Sequence, residues 1–335
     1  MFNQSVIFIT GGTGSFGKAL VKQLLLISGI KKIIIYSRDE FKQYKMEAEL
    51  QSDLNSIDLK FIIGNIKDLD RLKSSIRGVD YVFHVAALKQ VPAIEKNPFE
   101  AIKTNIIGSK NVIDASIHAK VKKVIAISTD KAASPINLYG VTKFAADKLF
   151  IFASSKQKET GVKFSVVRYG NFYSSRGSIV PAFIKEKDKG TLPITDKKMT
   201  RFFIKLEDAV KFSIKAIKIM WGGEIFVPKN DSIRIVDLAA AIAPNADLKV
   251  IGIRPGERIH EKLIDENDST KSLEFEDYYV VIFSDFLWEI DKYRKESNHI
   301  EGKYCPEGFT LSSENKENHL SKSEIKKNIQ EISRN

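Results

Sequence analysis

The chain has 335 residues, 43% of them hydrophobic, so it can bury a core and is not a disordered polymer. Its one cysteine, Cys305, excludes an intramolecular disulfide, which fits a reducing compartment and a cytoplasmic location. The net charge of +11 comes from lysines spread along the chain; with no zinc-finger spacing, RNA-binding sheet motif or basic helix, no nucleic-acid partner is expected.

The first residues run almost directly into an apolar strand, with no secretory signal pattern. Lysines interrupt every apolar stretch before it reaches eighteen residues, so no membrane span is expected. Short apolar runs at Val6–Ile9, Ile33–Tyr36, Leu59–Ile63, Tyr81–Val85, Val124–Ile127 and Phe164–Val167 read as strands covered on both faces. Helical patterns near Lys18–Leu26, Lys42–Leu50, Leu69–Ile76, Glu100–Ala119 and Tyr139–Glu159 lie between them. This alternation predicts an α/β fold with a doubly wound parallel sheet of the Rossmann type. After about Gly170 the pattern loosens, with loops expected at Ser174–Ser178, Thr191–Met199 and Ile251–Arg258 and a closing helix over Ser323–Ile332. Residues 1–170 are thus expected to form the nucleotide-binding domain with the catalytic residues. Residues 171–335 are expected to form mainly a smaller substrate-binding lobe, with some segments returning to the first domain.

After the first strand comes Thr10-Gly11-Gly12-Thr13-Gly14-Ser15-Phe16-Gly17, then an apolar-periodic helix. A glycine turn there lets the backbone approach a pyrophosphate, and the helix N-terminus favours its charge. Gly11, Thr13, Gly14, Ser15, Phe16 and Gly17 are the expected cofactor cradle. The second strand ends in Tyr36-Ser37-Arg38-Asp39-Glu40. Instead of an acidic residue for a ribose 2′-hydroxyl, Ser37 and Arg38 come first and Lys42 follows, which suits the 2′-phosphate of NADP. The competing reading pairs Arg38 with a surface carboxylate.

The fifth strand ends in Ser128-Thr129-Asp130-Lys131, at the sheet edge where ligands bind. Further on, Tyr139 and Lys143 stand one turn apart on one helix face. An ammonium beside the phenol would lower its pKa and let it exchange a proton with a sugar hydroxyl.

In this order, the glycine turn, Ser-Thr-Asp-Lys and Tyr-x-x-x-Lys resemble the extended short-chain dehydrogenase/reductase family. Several segments are similar to the inverting UDP-N-acetylglucosamine 4,6-dehydratases of pseudaminic acid biosynthesis. They are Ala86-Ala87-Leu88-Lys89-Gln90-Val91-Pro92, Thr129-Asp130-Lys131-Ala132-Ala133, Pro135-Ile136-Asn137-Leu138-Tyr139-Gly140, Arg168-Tyr169-Gly170-Asn171, Met199-Thr200-Arg201-Phe202, Arg254-Pro255-Gly256-Glu257-Arg258-Ile259-His260-Glu261 and Pro306-Glu307-Gly308-Phe309. The resemblance covers nearly the whole chain. Lys131 stands where retaining sugar-nucleotide dehydratases have glutamate, and Tyr139 where a capsule-sugar branch has methionine. Gly64-Asn65-Ile66-Lys67-Asp68 replaces the usual Gly-Asp-Val-Arg-Asp, so Asn65 would accept the adenine amino group in place of an aspartate.

The resemblance implies a catalytic set of Thr129, Asp130, Lys131, Tyr139 and Lys143. Tyr139 would take the O4 proton as C4 is oxidised by NADP. A neutral Lys131, its pKa depressed by burial or by Lys143, would take the C5 proton while Asp130 protonates the departing C6 hydroxyl. Asn65, Ile66, Ala86, Ala87, Lys89 and Asn105 would complete the cofactor site, with Tyr139 and Lys143. Lys89, Thr129, Lys131, Asn171, Val180, Thr195, Met199, Arg201 and Arg258 would hold UDP-N-acetylglucosamine. Glu257 and His260 read as structural. The other histidines have no metal spacing, so no metal is assigned. A homo-oligomer such as a hexamer is implied. Two other readings stay open: a sugar 4-epimerase, which would not need Asp130 and Lys131 together, and a non-catalytic NADP-binding protein.

Overall fold

The computed structural model describes residues 1–50, 57–174, 177–282, 290–296 and 301–334. Strands and helices alternate through the first half: β1 Val6–Thr10, α1 Ser15–Leu25, β2 Lys32–Ser37, α2 Glu40–Leu50, β3 Asp58–Ile63, α3 Leu69–Ser75 and β4 Tyr81–His84. Then come α4 Val91–Lys96, α5 Pro98–Ala101, a π turn over Ile102–Ile107, α6 Gly108–His118, β5 Lys123–Thr129, α7 Leu138–Ser155, α8 Gln157–Thr160 and β6 Lys163–Tyr169. The second half holds β7 Asn171–Phe172, α9 Ile179–Glu186, β8 Thr191–Ile194, β9 Thr200–Ile204, α10 Leu206–Ile219, β10 Glu224–Pro228, β11 Asp231–Arg234, α11 Ile235–Ile242 and β12 Asp247–Val250. It ends with β13 Lys262–Ile264, β14 Ser272–Glu274, β15 Tyr278–Ile282, α12 Ile290–Glu296, β16 Lys303–Tyr304, β17 Leu311–Ser312 and α13 Lys322–Arg334.

The main sheet has the order β16-β14-β15-β10-β6-β5-β4-β1-β2-β3. From β3 to β10 all neighbours are parallel, and β15, β14 and β16 add an antiparallel edge. The order reverses direction between β1 and β4, the switch point at which such sheets bind nucleotides. Strand side chains alternate between two cores: Ile7, Ile9, Ile33, Ile35 and Phe83 lie in the one packed by α1 and α10, whereas Phe8, Ile34, Tyr36, Val82 and Val124 lie in the one packed by α6 and α7. Each such buried side chain contributes about 1.5–3 kcal/mol, and burial on both faces is why these strands read as unbroken apolar runs. A third cluster, with Val180, Phe183, Leu192, Met199, Phe203 and Leu238, forms the core of the smaller lobe.

The chain's second half contributes to both parts, since α10, β10, β14, β15 and β16 pack on or extend the main sheet. Three expectations differ locally. The single helical pattern Glu100–Ala119 is broken by the π turn, which turns the buried Asn105 inward. The loop expected over Thr191–Met199 begins as β8, paired with β12; Leu192 and Ile194 face inward and Pro193 outward, the alternation of an edge strand. The helix starting at Tyr139 ends at Ser155, before the short α8. Of the expected Ser174–Ser178 loop, residues 175 and 176 lie outside the described residues. Among the described residues no helix is long and apolar enough to cross a membrane, and no cluster of His, Cys, Asp and Glu could hold a metal ion.

Candidate active site

Parallel strands bring the ends of β1, β4 and β5 to one edge of the sheet. Behind β1, Gly11 adopts φ +68, and a Cβ there would lie 2.8 Å from the backbone of Ala86. Only glycine allows the two loops to approach so closely. The Ala86–Leu88 loop is fixed from both sides. Ala86 N donates to Thr10 Oγ1 at 3.2 Å, and Leu88 N donates to Asn105 Oδ1 at 2.8 Å. Asn105 Nδ2 donates in turn to the Leu88 carbonyl and to Thr142 Oγ1, each at 3.0 Å. Asn105, predicted on the cofactor, is thus spent on shaping the loop beside it. Phe16 turns into the core against Tyr169 and Phe172. Gly14 caps α1 and no side chain bonds to that cap, so the first N–H groups of the helix are left for an anion.

At the end of β2, Lys42 pairs with Asp39 at 2.8 Å and holds that carboxyl below its usual range. Arg38 is exposed, and among the described residues it forms no ion pair with Asp39 or Glu40. Ser37 is buried and its Oγ accepts from Gln43 Nε2 at 2.9 Å. Asn65 Oδ1 already accepts from Lys67 N at 3.1 Å, so adenine would share that oxygen. Ile66 is buried in the core.

The reactive groups converge at the end of β5. Asn137 Oδ1 accepts from Gly140 N at 2.8 Å and starts α7. A Cβ on Gly140 would collide with the carbonyl oxygen of Lys131, so this glycine lets the first turn of α7 lie on the Asp130–Lys131 segment. Tyr139 is thereby held beside Thr129, whose hydroxyl favours the ionised phenol. Thr129 Oγ1 donates to Asp130 Oδ1 at 2.9 Å, and Lys131 Nζ donates to the same oxygen at 3.0 Å. Asp130 Oδ2 is buried and has no hydrogen-bond partner among the described residues. A buried carboxylate oxygen without a partner is costly and marks a place for a group the protein itself does not supply.

Two expected pKa relations are corrected here. Lys131 was expected to be depressed. Burial does push it down, but the carboxylates of Asp130 and Glu261 outweigh burial and raise it above the ordinary lysine range. Lys143 was expected to lower Tyr139. Its ammonium instead donates to the Ile127 carbonyl at 2.8 Å, with Asp147 as its acidic neighbour. Burial pushes Tyr139 up to about 12, opposed by the Lys131 ammonium and the Thr129 hydroxyl.

The residues predicted for the substrate divide. Lys89 is exposed, Asn171 and Thr195 are half-buried, and Arg258 reaches across to donate to the Ser134 carbonyl. Arg201 is buried, with Nη1 donating to the carbonyls of Thr200 and Ile259 and Nη2 to that of Arg258. It braces the loop beside Lys131. Val180 and Met199 lie in the core of the smaller lobe, because apolar side chains there are worth more buried than on a polar ligand. Glu261, 4% exposed, was missed: its Oε1 lies 3.5 Å from Lys131 Nζ. Its place in the Arg254–Glu261 motif was the only sequence signal for it.

The family described as polysaccharide biosynthesis protein matches residues 7–282. The chain is 50% identical over 320 residues to a UDP-N-acetylglucosamine 4,6-dehydratase (inverting) from Campylobacter jejuni, covering 94% of each chain. It is 42% identical over 287 residues to a UDP-glucose 4-epimerase from Rickettsia conorii, covering 83% of each. A solved structure, Pen from Bacillus thuringiensis, superposes with a TM-score of 0.88 at 33% identity over 99% of both chains.

Proposed function

We propose the following activity for this chain, which belongs to the polysaccharide biosynthesis protein family and within it to the inverting UDP-N-acetylglucosamine 4,6-dehydratases: it removes water from UDP-N-acetylglucosamine between C5 and C6 and inverts C5. The product is UDP-2-acetamido-2,6-dideoxy-β-L-arabino-hex-4-ulose, and the step opens a pseudaminic acid-type pathway. The observation that carries this reading is the Asp130–Lys131 pair, an acid and a base in one hydrogen bond, next to Tyr139. An epimerase needs the tyrosine but has no use for the pair.

The cradle of Gly11 and the uncapped start of α1 fit a nicotinamide dinucleotide. When bound, it supplies oxidation at C4 and returns the electrons at C6, so it is regenerated each turnover. The protein handles the protons. Tyr139 takes the O4 proton, and the 4-ketone then acidifies C5–H. At rest the proton of the pair sits on Lys131, held there by two carboxylates. Its transfer to Asp130 along the 3.0 Å hydrogen bond creates a neutral amine and a carboxylic acid with no change in total charge. The amine then takes the C5 proton as the acid protonates the leaving C6 hydroxyl, and the pair returns to its resting form. Tyr139, protonated in the first step, reprotonates C5 from the other face. Asn171, Thr195 and Arg258 are assigned to the UDP-sugar, which Lys89 and Thr129 also contact. Val180, Met199 and Arg201 support that pocket from behind.

We assign NADP because Arg38 stands exposed beside Ser37 with Lys42 nearby. NADP should bind more tightly than NAD, and Arg38→Ala should narrow the gap by about 1.5–3 kcal/mol, the worth of a charge-assisted phosphate contact. Titration of both cofactors checks this; equal affinities in the unmutated protein would contradict it. Incubation with UDP-N-acetylglucosamine and NMR of the product tests the activity itself. A 4-keto-6-deoxy sugar is expected, whereas UDP-N-acetylgalactosamine would show an epimerase and no conversion a binding protein. The active form is assigned as a homo-oligomer.

A further inference from the structure

Glu261 has no part in the proton transfers above, yet it is a buried carboxylate, 4% exposed, whose oxygen faces the Lys131 ammonium. Its backbone is fixed by Ser313: Glu261 N donates to Ser313 Oγ at 2.9 Å, and Ser313 N donates to the Glu261 carbonyl at 2.8 Å. Ser313 Oγ is itself bonded to Thr200 Oγ1 at 2.7 Å. The Glu261 side chain therefore leaves a rigid junction between β9, β13 and β17. Its Oε1 stands 3.5 Å from Lys131 Nζ and 3.8 Å from Arg201 Nε. Arg201 cannot swing away, because its other nitrogens are held by the carbonyls of Thr200, Arg258 and Ile259. The Lys131 ammonium thus has one carboxylate on its own segment and a second delivered from the far half of the chain.

We propose that Glu261 is a positioning residue for the dehydration: anchored beside Arg201, its carboxylate holds the Lys131 ammonium in place and keeps the shared proton on the Lys131–Asp130 pair. The inference rests on the activity proposed above. The pair works only while it carries one proton. If that proton is lost at high pH, Lys131 is still a base but Asp130 can no longer act as an acid. A fixed negative charge at 3.5 Å opposes that loss. Lys131 faces Asp130, Tyr139, Glu261 and Arg201, and Glu261 faces Lys131, Asp130, Arg201 and Arg258. Burial is the largest influence on Glu261 and, with Asp130, leaves its pKa raised; the Lys131, Arg201 and Arg258 cations oppose this and favour the carboxylate. Of these groups, only the Glu261 charge changes in E261Q, which keeps the shape and an oxygen able to accept from Lys131.

The test compares wild type, E261Q and E261D. One measurement is kcat against pH with UDP-N-acetylglucosamine and NADP. The other is the pH dependence of Lys131 acylation by trace acetic anhydride, read by mass spectrometry, which needs no turnover. In E261Q the alkaline limb of kcat and the Lys131 acylation midpoint should both move to lower pH by about one unit or more. E261D, which keeps the charge, should restore both. A folded E261Q whose two midpoints match wild type would overturn the proposal; a purely structural role would lower activity equally at all pH values. If E261Q does not fold, E261M, near in size and uncharged, takes its place: its Lys131 midpoint should lie below that of wild type, and an unchanged midpoint overturns the proposal. If wild type forms no 4-keto-6-deoxy product, the proposed activity fails, while the acylation midpoints still judge the Glu261–Lys131 contact.

Discussion

Lys131→Ala is expected to stop elimination, with turnover lower by roughly 10²–10⁴-fold, while cofactor and UDP-sugar still bind. In the proposed mechanism the amine becomes the base for C5–H once its proton has passed to Asp130, 3.0 Å away. Without it the 4-ketone forms but its C5–H has no acceptor. Enzyme-bound reduced cofactor should therefore accumulate in a single turnover, visible by its absorbance. The loss is compounded at Asp130, a carboxylate 2% exposed that would keep no neighbouring ammonium. A near-normal rate in a folded Lys131→Ala variant would remove Lys131 from the chemistry.

Tyr139→Phe should lower turnover by roughly 10²-fold or more by an earlier block. In the proposed mechanism the phenol is the proton acceptor for O4, and the ring alone could not replace it. Here no reduced cofactor should appear in a single turnover, which separates this variant from Lys131→Ala. Burial holds the phenol at about 12, so the fraction ionised grows as pH rises through the neutral range. The rate of C4 oxidation in wild type should accordingly increase with pH, and that rise should vanish in Tyr139→Phe. Rapid-mixing absorbance at several pH values checks both.

The inner strands of the first half were legible because burial on two faces writes an apolar run into consecutive residues, as in β2; β3, also expected to be covered on both faces, is instead the sheet edge, and only Ile62 in it is buried. Tyr139 and Lys143 were placed on one helix face by spacing alone, and the structure puts both on α7. What the spacing could not reveal was the partner of each. Lys143 lies close to Ile127 because β5 runs beneath α7, and that contact depends on packing. Lys131 is raised first by Asp130, the adjacent residue, and then by Glu261, 130 positions further along; the sequence reading weighed burial and Lys143 and left the adjacent carboxylate out, while Glu261 is brought near only by folding. Arg201 shows the same limit. An arginine in a substrate lobe suggests a phosphate, but here three backbone carbonyls take its donors. Val180 and Met199 were apolar residues in a region without clear periodicity, and their burial in the smaller core emerges only when α9, β8 and α11 are assembled.

In the proposed mechanism, one base and one acid at the end of β5 carry out an elimination with inversion at C5. The most direct measurement is the NMR spectrum of the first product formed from UDP-N-acetylglucosamine in deuterium oxide. It should be recorded early, since a 4-keto sugar can exchange at C5 without the enzyme. Removal by Lys131 and return from Tyr139 on the opposite face predict a 4-keto-6-deoxy sugar that carries deuterium at C5 in the L-arabino configuration. A primary product with the D-xylo configuration at C5 would contradict the account.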